Sequence, residues 1–339
     1  VDERVSADRQ ARGAESRARA LWVTGPAACA LREEPLARPG PQEVLVESLF
    51  GAISRGTERL VFDGAVPPGE HERMRGPHMG GSFPFPVKYG YAVCGRVTGG
   101  APDLLGKTVF CLHPHQDRFV VSRDAVTVLP EGVPAERAPL AANMETALNI
   151  LWDSEILAGD RVAVFGAGVV GGLVALLAAQ IPGVELWLVD PLESRQSLAI
   201  SLGARFVSPQ ALGGEAPFDV IVNASASGEA LAQGLAVAGP GARLVEASWY
   251  GDRQVSLPLG GAFHAGRLAL VSSQVGQIPV RQSPRWTYRR RLTKALELLR
   301  DDRVETLFTG MTAFSALGPS YETILRDPAT LCHRIRYDQ

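Results

Sequence analysis

The residues of this chain whose types and spacing most plainly suit chemistry are Gly166, Gly168 and Gly171, in the run Gly166-Ala167-Gly168-Val169-Val170-Gly171. The run stands between RVAVF, which reads as a strand, and VVGGLVALLAAQI, which reads as a helix. In that setting the first glycine permits a tight turn and the second lets the backbone approach a pyrophosphate. The third lets helix and strand pack closely. Unpaired N–H groups at the helix start, around Val169 and Val170, and the positive end of the helix dipole would then face the phosphates. A second apolar run, VELWLVD, ends in Asp190, at the distance where an acidic side chain meets the adenosine ribose. A carboxylate there accepts hydrogen bonds from a 2′,3′-diol and repels a 2′-phosphate. Ser194 and Arg195 lie nearby and offer a phosphate partner, but Arg195 reads more simply as a solvent-facing helix residue. The pattern predicts a dinucleotide site with NAD(H) favoured over NADP(H).

Such a site needs a sheet to carry it. Residues 144–282 alternate short apolar runs (RVAVF, VELWLVD, ARFVS, DVIVNAS, ARLVEAS, LALVSSQ) with helical segments. That alternation predicts an α/β, doubly wound parallel sheet. Residues 20–143 are rich in Pro, Gly and β-type runs such as EVLVESLFGAIS and KTVFCLH, which predicts a partly closed, barrel-like β domain. From 283 onward one helix, RRRLTKALELLRDD, precedes a last strand near HRIRY. This tail is too short for its own core, so 20–143 and 283–339 are expected to form one domain and 144–282 the other. Residues 1–19 read as a charged tail, disordered or weakly helical.

Composition excludes several classes. The chain has 339 residues, 46% hydrophobic, and 36 acidic against 34 basic side chains, for a net charge of -2. Nothing in that balance points to nucleic acid or a membrane surface. No apolar run is long enough for a transmembrane helix, and the first residues lack the apolar core of a secretory signal. Cys29, Cys94, Cys111 and Cys332 are scattered, with no CxxC pair, so neither a disulfide framework nor a Cys-rich metal lobe is expected. A cytoplasmic enzyme acting on a small molecule fits this composition.

From about residue 20 to the end the chain resembles the medium-chain dehydrogenase/reductase superfamily, the zinc-type alcohol dehydrogenase-like group. The resemblance rests on ARPGPQEVLVES, on Gly56-Thr57-Glu58 in place of Gly-Thr-Asp, on GKTVF and on PEGVPAERAPLAANMETALNIL. It implies a GroES-like catalytic domain beside the Rossmann domain, an active-site cleft between them, and a homodimer through the Rossmann edge strand. The departures concern the metal. Arg55 stands where zinc members carry Cys, and KYGYAVCGR places Tyr91 and Ala92 where they carry the His and Glu of Gly-His-Glu. The last ligand position falls on Ala142 or Asn143. Zinc needs three or four N, S or carboxylate ligands at fixed geometry, so neither a catalytic nor a structural zinc is expected. His113 and His115 form an H-x-H pair that, with Cys94 or Glu145, offers an alternative metal site. The simpler reading makes them ordinary polar or core residues. The wording Ser54-Arg55-Gly56-Thr57-Glu58-Arg59-Leu60 is similar to the zinc-free branch that includes bacteriochlorophyllide a dehydrogenase. The substrate does not carry over, because the loop VPPGEHERMRGPHMGGSFPFPVK is polar and glycine-rich.

Without zinc, the charge that hydride transfer leaves on oxygen must meet oriented donors or a fixed cation. The resemblance places Arg55, Thr57 and Tyr91 around the former metal position. Arg55 stays cationic and Tyr91 can donate a proton. Glu58 and Glu145 are candidate bases or orienting partners. Each has a plain alternative: Arg55 as a partner of Glu58, Tyr91 as a packing aromatic, Glu145 as a first-turn acid favoured by the helix dipole. The resemblance further implies cofactor contacts at Thr146, Ala224, Ser248, Ser273 and Gln274. Arg285 and Trp286 are the substrate candidates, for an acidic group, and Arg289-Arg290-Arg291 reads as a solvated basic face. The expected function is a zinc-independent NAD(H)-dependent alcohol/carbonyl oxidoreductase. An enone- or quinone-type C=C reductase and a non-catalytic NAD(H)-binding sensor are the alternatives.

Overall fold

The computed structural model describes residues 16–338, so most of the expected charged tail lies outside the described residues. Its described end is not tail: Arg17–Gly25 is strand β1, because Ala18, Ala20, Leu21 and Val23 are buried. The chain divides into two compact units. One runs up to Leu129 and takes in Met311–Arg326 and the segment from Arg334. The other comprises Pro130–Gly310 and Asp327–His333.

The first unit is built on β-sheet. After β1 come β2 (Ala28–Pro35), β3 (Glu43–Ile53), helix α1 (Arg55–Phe62), β4 (Gly80–Gly81), β5 (Val87–Lys88), β6 (Val93–Gly100), β7 (Thr108–Cys111), β8 (Arg118–Ser122) and β9 (Val126–Val128). One small sheet has the order β2-β1-β5-β4. In the other, β3 pairs antiparallel with β6 and β8, and β6 pairs with β7. The alternation in EVLVESLFGAI turns Val44 and Val46 into a core with Val93, Val97, Val109, Phe119 and Val121.

The second unit holds α2 (Ala141–Ser154), β10 (Arg161–Phe165), α3 (Val169–Ala178), β11 (Glu185–Val189), α4 (Gln196–Ser201), β12 (Arg205–Val207), β13 (Phe218–Asn223), α5 (Gly228–Val237), β14 (Ala238–Glu246), β15 (Ala269–Ser272) and α6 (Tyr288–Leu298). Its sheet order is β12-β11-β10-β13-β14-β15, with all pairs parallel. This is the doubly wound arrangement expected, and the order reverses between β10 and β13. Ligands of such sheets bind at that point, beyond the carboxyl ends of the strands. Trp187 anchors the core, edge-on to Phe218 with ring centroids 5.2 Å apart and interplanar angle 82°. The guanidinium groups of Arg161 and Arg205 lie 4.9 and 5.0 Å from its ring centroid.

The chain then returns to the first unit. Strands β16 (Phe308–Ala313) and β17 (Cys332–Arg336) cross the boundary, and α7 (Leu317–Arg326) belongs to the first unit. The larger mixed sheet then reads β16-β17-β3-β6-β7-β9. The domain boundary differs from the expected one. Residues 283–310 stay with the second unit, where α6 packs on α2 and buries Arg291, Ala295 and Leu296. The physical reason is a pairing invisible in the hydropathy pattern: Arg291 on α6 meets Glu145 on α2. Among the described residues no helix is long and apolar enough to cross a membrane.

Truncating the core aromatic tests the packing of the second unit. Trp187→Ala is expected to cost about 3–5 kcal/mol, as for other buried aromatics. Urea unfolding followed by near-ultraviolet circular dichroism reads the loss, and a cost below about 1 kcal/mol contradicts the anchoring role.

Candidate functional site

The glycine loop sits where the strand order reverses. Gly166 follows β10 with φ +96°, and a Cβ there would meet the Cα of Ser225 at 2.9 Å. A Cβ on Gly171 would run into the carbonyl oxygen of Gly166, so helix and turn approach too closely for any side chain. Gly168 is different: a Cβ there meets nothing within 4 Å. The space beside Gly168, where α3 starts, is therefore open, and no side chain caps that helix. Such a helix start suits a pyrophosphate. Asp190 follows β11. Its Oδ2 accepts the Ala167 N–H at 2.8 Å and its Oδ1 accepts the Leu192 N–H at 2.9 Å. Each oxygen keeps acceptor capacity for a ribose diol. The residues present fit a dinucleotide.

The remaining cofactor candidates divide. Ala224 stands at the same switch point, its N–H donating to the Phe165 carbonyl at 2.9 Å. Ser248 accepts the Ala226 N–H at 2.9 Å and donates to the Asn223 carbonyl at 3.3 Å. Thr146 donates back to the Ala142 carbonyl at 3.1 Å, and Ser273 donates to Asp153 at 2.6 Å. Gln274 accepts the Gly276 N–H at 2.6 Å through Oε1. Arg195 corrects the solvent-facing expectation: it is buried and donates to the carbonyls of Pro328 and Ala329 at 2.8 and 3.3 Å. Its guanidinium is thereby directed at backbone carbonyls. One cluster had no sequence signal: Asn223 donates to Glu246 at 2.7 Å, and the Tyr250 hydroxyl donates to the same carboxylate at 3.0 Å. Asn and Glu at separate strand ends form no local motif.

Glu145 is not a first-turn acid. It sits a turn into α2, is 5% exposed, and receives Arg291 Nε at 3.0 Å. Burial raises its pKa despite the opposing Arg291 charge. Arg291, at 3% exposure, breaks the expected solvated triplet, whereas Arg289 and Arg290 are exposed. Arg285 is exposed and donates to Gln282 at 2.6 Å. Trp286 packs against Trp152, centroids 4.8 Å apart, with the Arg290 guanidinium 4.2 Å from its ring.

In the first unit, Arg55 and Thr57 lie in the first turn of α1, both half-buried. Tyr91 lies between β5 and β6, and its ring meets that of Tyr89 edge-on at 6.1 Å. Glu58 is fully buried. Its Oε1 accepts the Ser54 N–H at 2.7 Å, and its Oε2 accepts from His115 Nε2 at 2.8 Å and from the Tyr321 hydroxyl at 2.6 Å. Burial pushes the Glu58 carboxyl up, but the His115 charge and these hydrogen bonds outweigh it and hold the pKa below its ordinary 4.5. The pair His113 and His115 does not act together. His115 turns to Glu58, while His113 stacks on Phe119 with centroids 3.7 Å apart and its Nδ1 donates to the Pro114 carbonyl at 2.9 Å. Among the described residues no group of three or more His, Cys, Asp or Glu side chains is placed to hold a metal ion.

No protein-family model matches the chain. It is similar to an uncharacterized zinc-type alcohol dehydrogenase-like protein of Haemophilus influenzae, 31% identical over 34% of this chain and 36% of that protein. It is 34% identical to 2-desacetyl-2-hydroxyethyl bacteriochlorophyllide A dehydrogenase of Cereibacter sphaeroides over 26% of this chain and 24% of that enzyme. These first matches thus span about a third or less of the relatives' length. D-guloside 3-dehydrogenase of Escherichia coli is 24% identical over 89% of this chain and 94% of its own. Among solved structures, a short chain alcohol dehydrogenase from Escherichia coli CFT073, complexed with NADH, superposes with TM-score 0.77 at 15% identity. That likeness covers 95% of this chain and 99% of the other, and concerns the fold. The sequence likenesses are thus to a zinc-type alcohol dehydrogenase-like protein and to dehydrogenases, and the solved structure shares the fold.

The buried histidine gives a pH test. Burial, reinforced by the His78, Lys88 and His115 charges, pushes the His113 pKa down to about 3, against the single opposing Pro114 hydrogen bond. A group whose folded pKa lies below its unfolded value of about 6.5 leaves stability intact above 6.5. As pH falls from 6.5 towards 3, it erodes stability by up to about 1.4 kcal/mol per pH unit. Loss at Glu58 begins only below about 4.5. His113→Phe is therefore expected to flatten the fall in melting temperature between pH 6.5 and 4.5 in scanning calorimetry. Wild type and variant falling in parallel over that window contradicts it.

Proposed function

We propose that this protein is an NAD(H)-dependent oxidoreductase that interconverts an alcohol and a carbonyl by hydride transfer without a catalytic zinc. The observation that carries the reading is the glycine loop: open space at Gly168, an uncapped helix start, and Asp190 fixed beside it. The superfamily fold and the likeness to dehydrogenases support it. Bound, the nicotinamide ring supplies or accepts the hydride. The loop N–H groups hold the pyrophosphate and the Asp190 carboxylate accepts from the ribose diol, which favours NAD(H) over NADP(H). Tyr91 donates to the oxygen on which charge develops. Arg55 supplies a fixed cation and Thr57 a hydroxyl for proton passage. Glu145 drops from this set of acid–base candidates, since Arg291 occupies it. A cytoplasmic homodimer is the assembly proposed.

Calorimetric titration with NAD+, NADH and NADPH, with metal analysis of the same sample, tests the reading. NADH is expected to bind well ahead of NADPH, with no stoichiometric zinc. Stoichiometric zinc, or no binding of either nucleotide, overturns it. Asp190→Ala is expected to narrow the NADH-over-NADPH preference about tenfold, about 1.4 kcal/mol. With secondary alcohols as substrates, Tyr91→Phe is expected to lower kcat roughly 10²–10⁴-fold, the usual worth of a positioned proton donor, while leaving NADH affinity unchanged. A kcat within twofold of wild type removes Tyr91 from the mechanism.

A further inference from the structure

Asn149, on α2, is 1% exposed and uses both ends of its amide. Its Nδ2 donates to Asp153 Oδ2 and to the main-chain carbonyl of Gln274, each at 3.3 Å. Its Oδ1 accepts from Arg291 Nη1 at 2.8 Å, and Arg291 turns its Nε to Glu145. Asp153 accepts in turn from Ser273 Oγ at 2.6 Å, and its own carbonyl accepts Arg243 Nε, from β14, at 2.6 Å. One connected polar network thus joins α2, α6 and the segment just after β15.

That segment, Ser273-Gln274, leaves the carboxyl end of the last strand of the parallel sheet, the side on which such sheets bind ligands. Gln274 organises the turn that follows. Its Oε1 accepts the Gly276 N–H at 2.6 Å and its carbonyl accepts the Gln277 N–H at 3.2 Å. Stability alone does not call for this construction. A buried ion pair is often no better than packed apolar side chains of the same volume. What the network adds is direction: its bonds together narrow the positions open to the strand end.

We infer that Asn149 and Asp153 are positioning residues that fix Ser273 and Gln274 in the geometry that receives the cofactor, with the Arg291–Glu145 pair holding Asn149 in place. The inference rests on the dinucleotide reading above. Neither residue touches the cofactor; both act through the strand end.

The test compares wild type with Asn149→Ser, Ser273→Ala and Ser273→Thr. Hydrogen exchange at the Gly276 and Gln277 amides is followed without nucleotide, NADH affinity by calorimetry, and folding by scanning calorimetry. Exchange is expected to rise at least tenfold in N149S and S273A, with NADH binding weakened at least fivefold and unfolding still cooperative. S273T keeps the hydroxyl that meets Asp153 and is expected to hold exchange near wild type. Should N149S fail to fold, the two Ser273 variants decide. Faster exchange with undiminished NADH affinity overturns the inference, leaving a structural lock. Unchanged exchange overturns the tether itself. A wild type that binds no NADH removes the cofactor reading and the inference with it, while the exchange measurement still shows whether the tether exists.

Discussion

The second unit turns on one hydrogen bond, from the Ala167 amide to Asp190. It joins the turn after β10 to the residue after β11, at the ends of adjacent parallel strands. Gly166 takes a positive φ there, and Gly171 presses its helix against the Gly166 carbonyl. A turn this tight has little freedom, and the carboxylate removes some of what remains. The same carboxylate is then already oriented when a ribose arrives, so a local folding constraint and a recognition group are one side chain. Preorganisation of this kind lowers what binding must spend on ordering.

Charge burial runs through both units. Glu58 and His115 lie fully inside the first, Glu145 and Arg291 inside the second. Each carboxylate meets a cationic or hydrogen-bonding partner, as it must in a medium that solvates ions poorly. In the first unit this ties the start of α1, which carries Arg55 and Thr57, to the segment around His115 and to α7 through Tyr321. In the second it ties α2 to α6. Groups that sequence reading offers as acids and bases are thereby also ties between elements distant in sequence.

The parallel sheet and its glycine loop were legible because their signals are local: strand, Gly-x-Gly-x-x-Gly, helix, then an acid after the next strand. The β-rich character of the first unit was legible from alternation in runs such as EVLVESLFGAI. Partners far apart in sequence were not legible. Nothing near Arg291 announces Glu145, 146 residues earlier, and the run of three arginines disguises its buried member. Arg195 misled for the same reason, since the carbonyls it satisfies lie 133 and 134 residues on. His113 and His115 shared a spacing but not a purpose, because Phe119 offers one ring a stacking face and Glu58 gives the other a carboxylate.

The two units also differ in how soon a growing chain could finish them. Most of the second is one continuous stretch, Pro130–Gly310, whereas the first needs Met311–Arg326 and the segment from Arg334 before it is whole. Tyr321 emerges 263 residues after Glu58, and the Tyr337 N–H that meets the Leu49 carbonyl is later still. Until then Glu58 lacks one of its donors and β3 one of its neighbours. Contacts of such separation are slow to form, and domains made early in synthesis tend to fold first. The part of the chain translated first is thus the part completed last, and the end of β3 beyond its pairing with β8 must wait for β17 while some 280 residues are added.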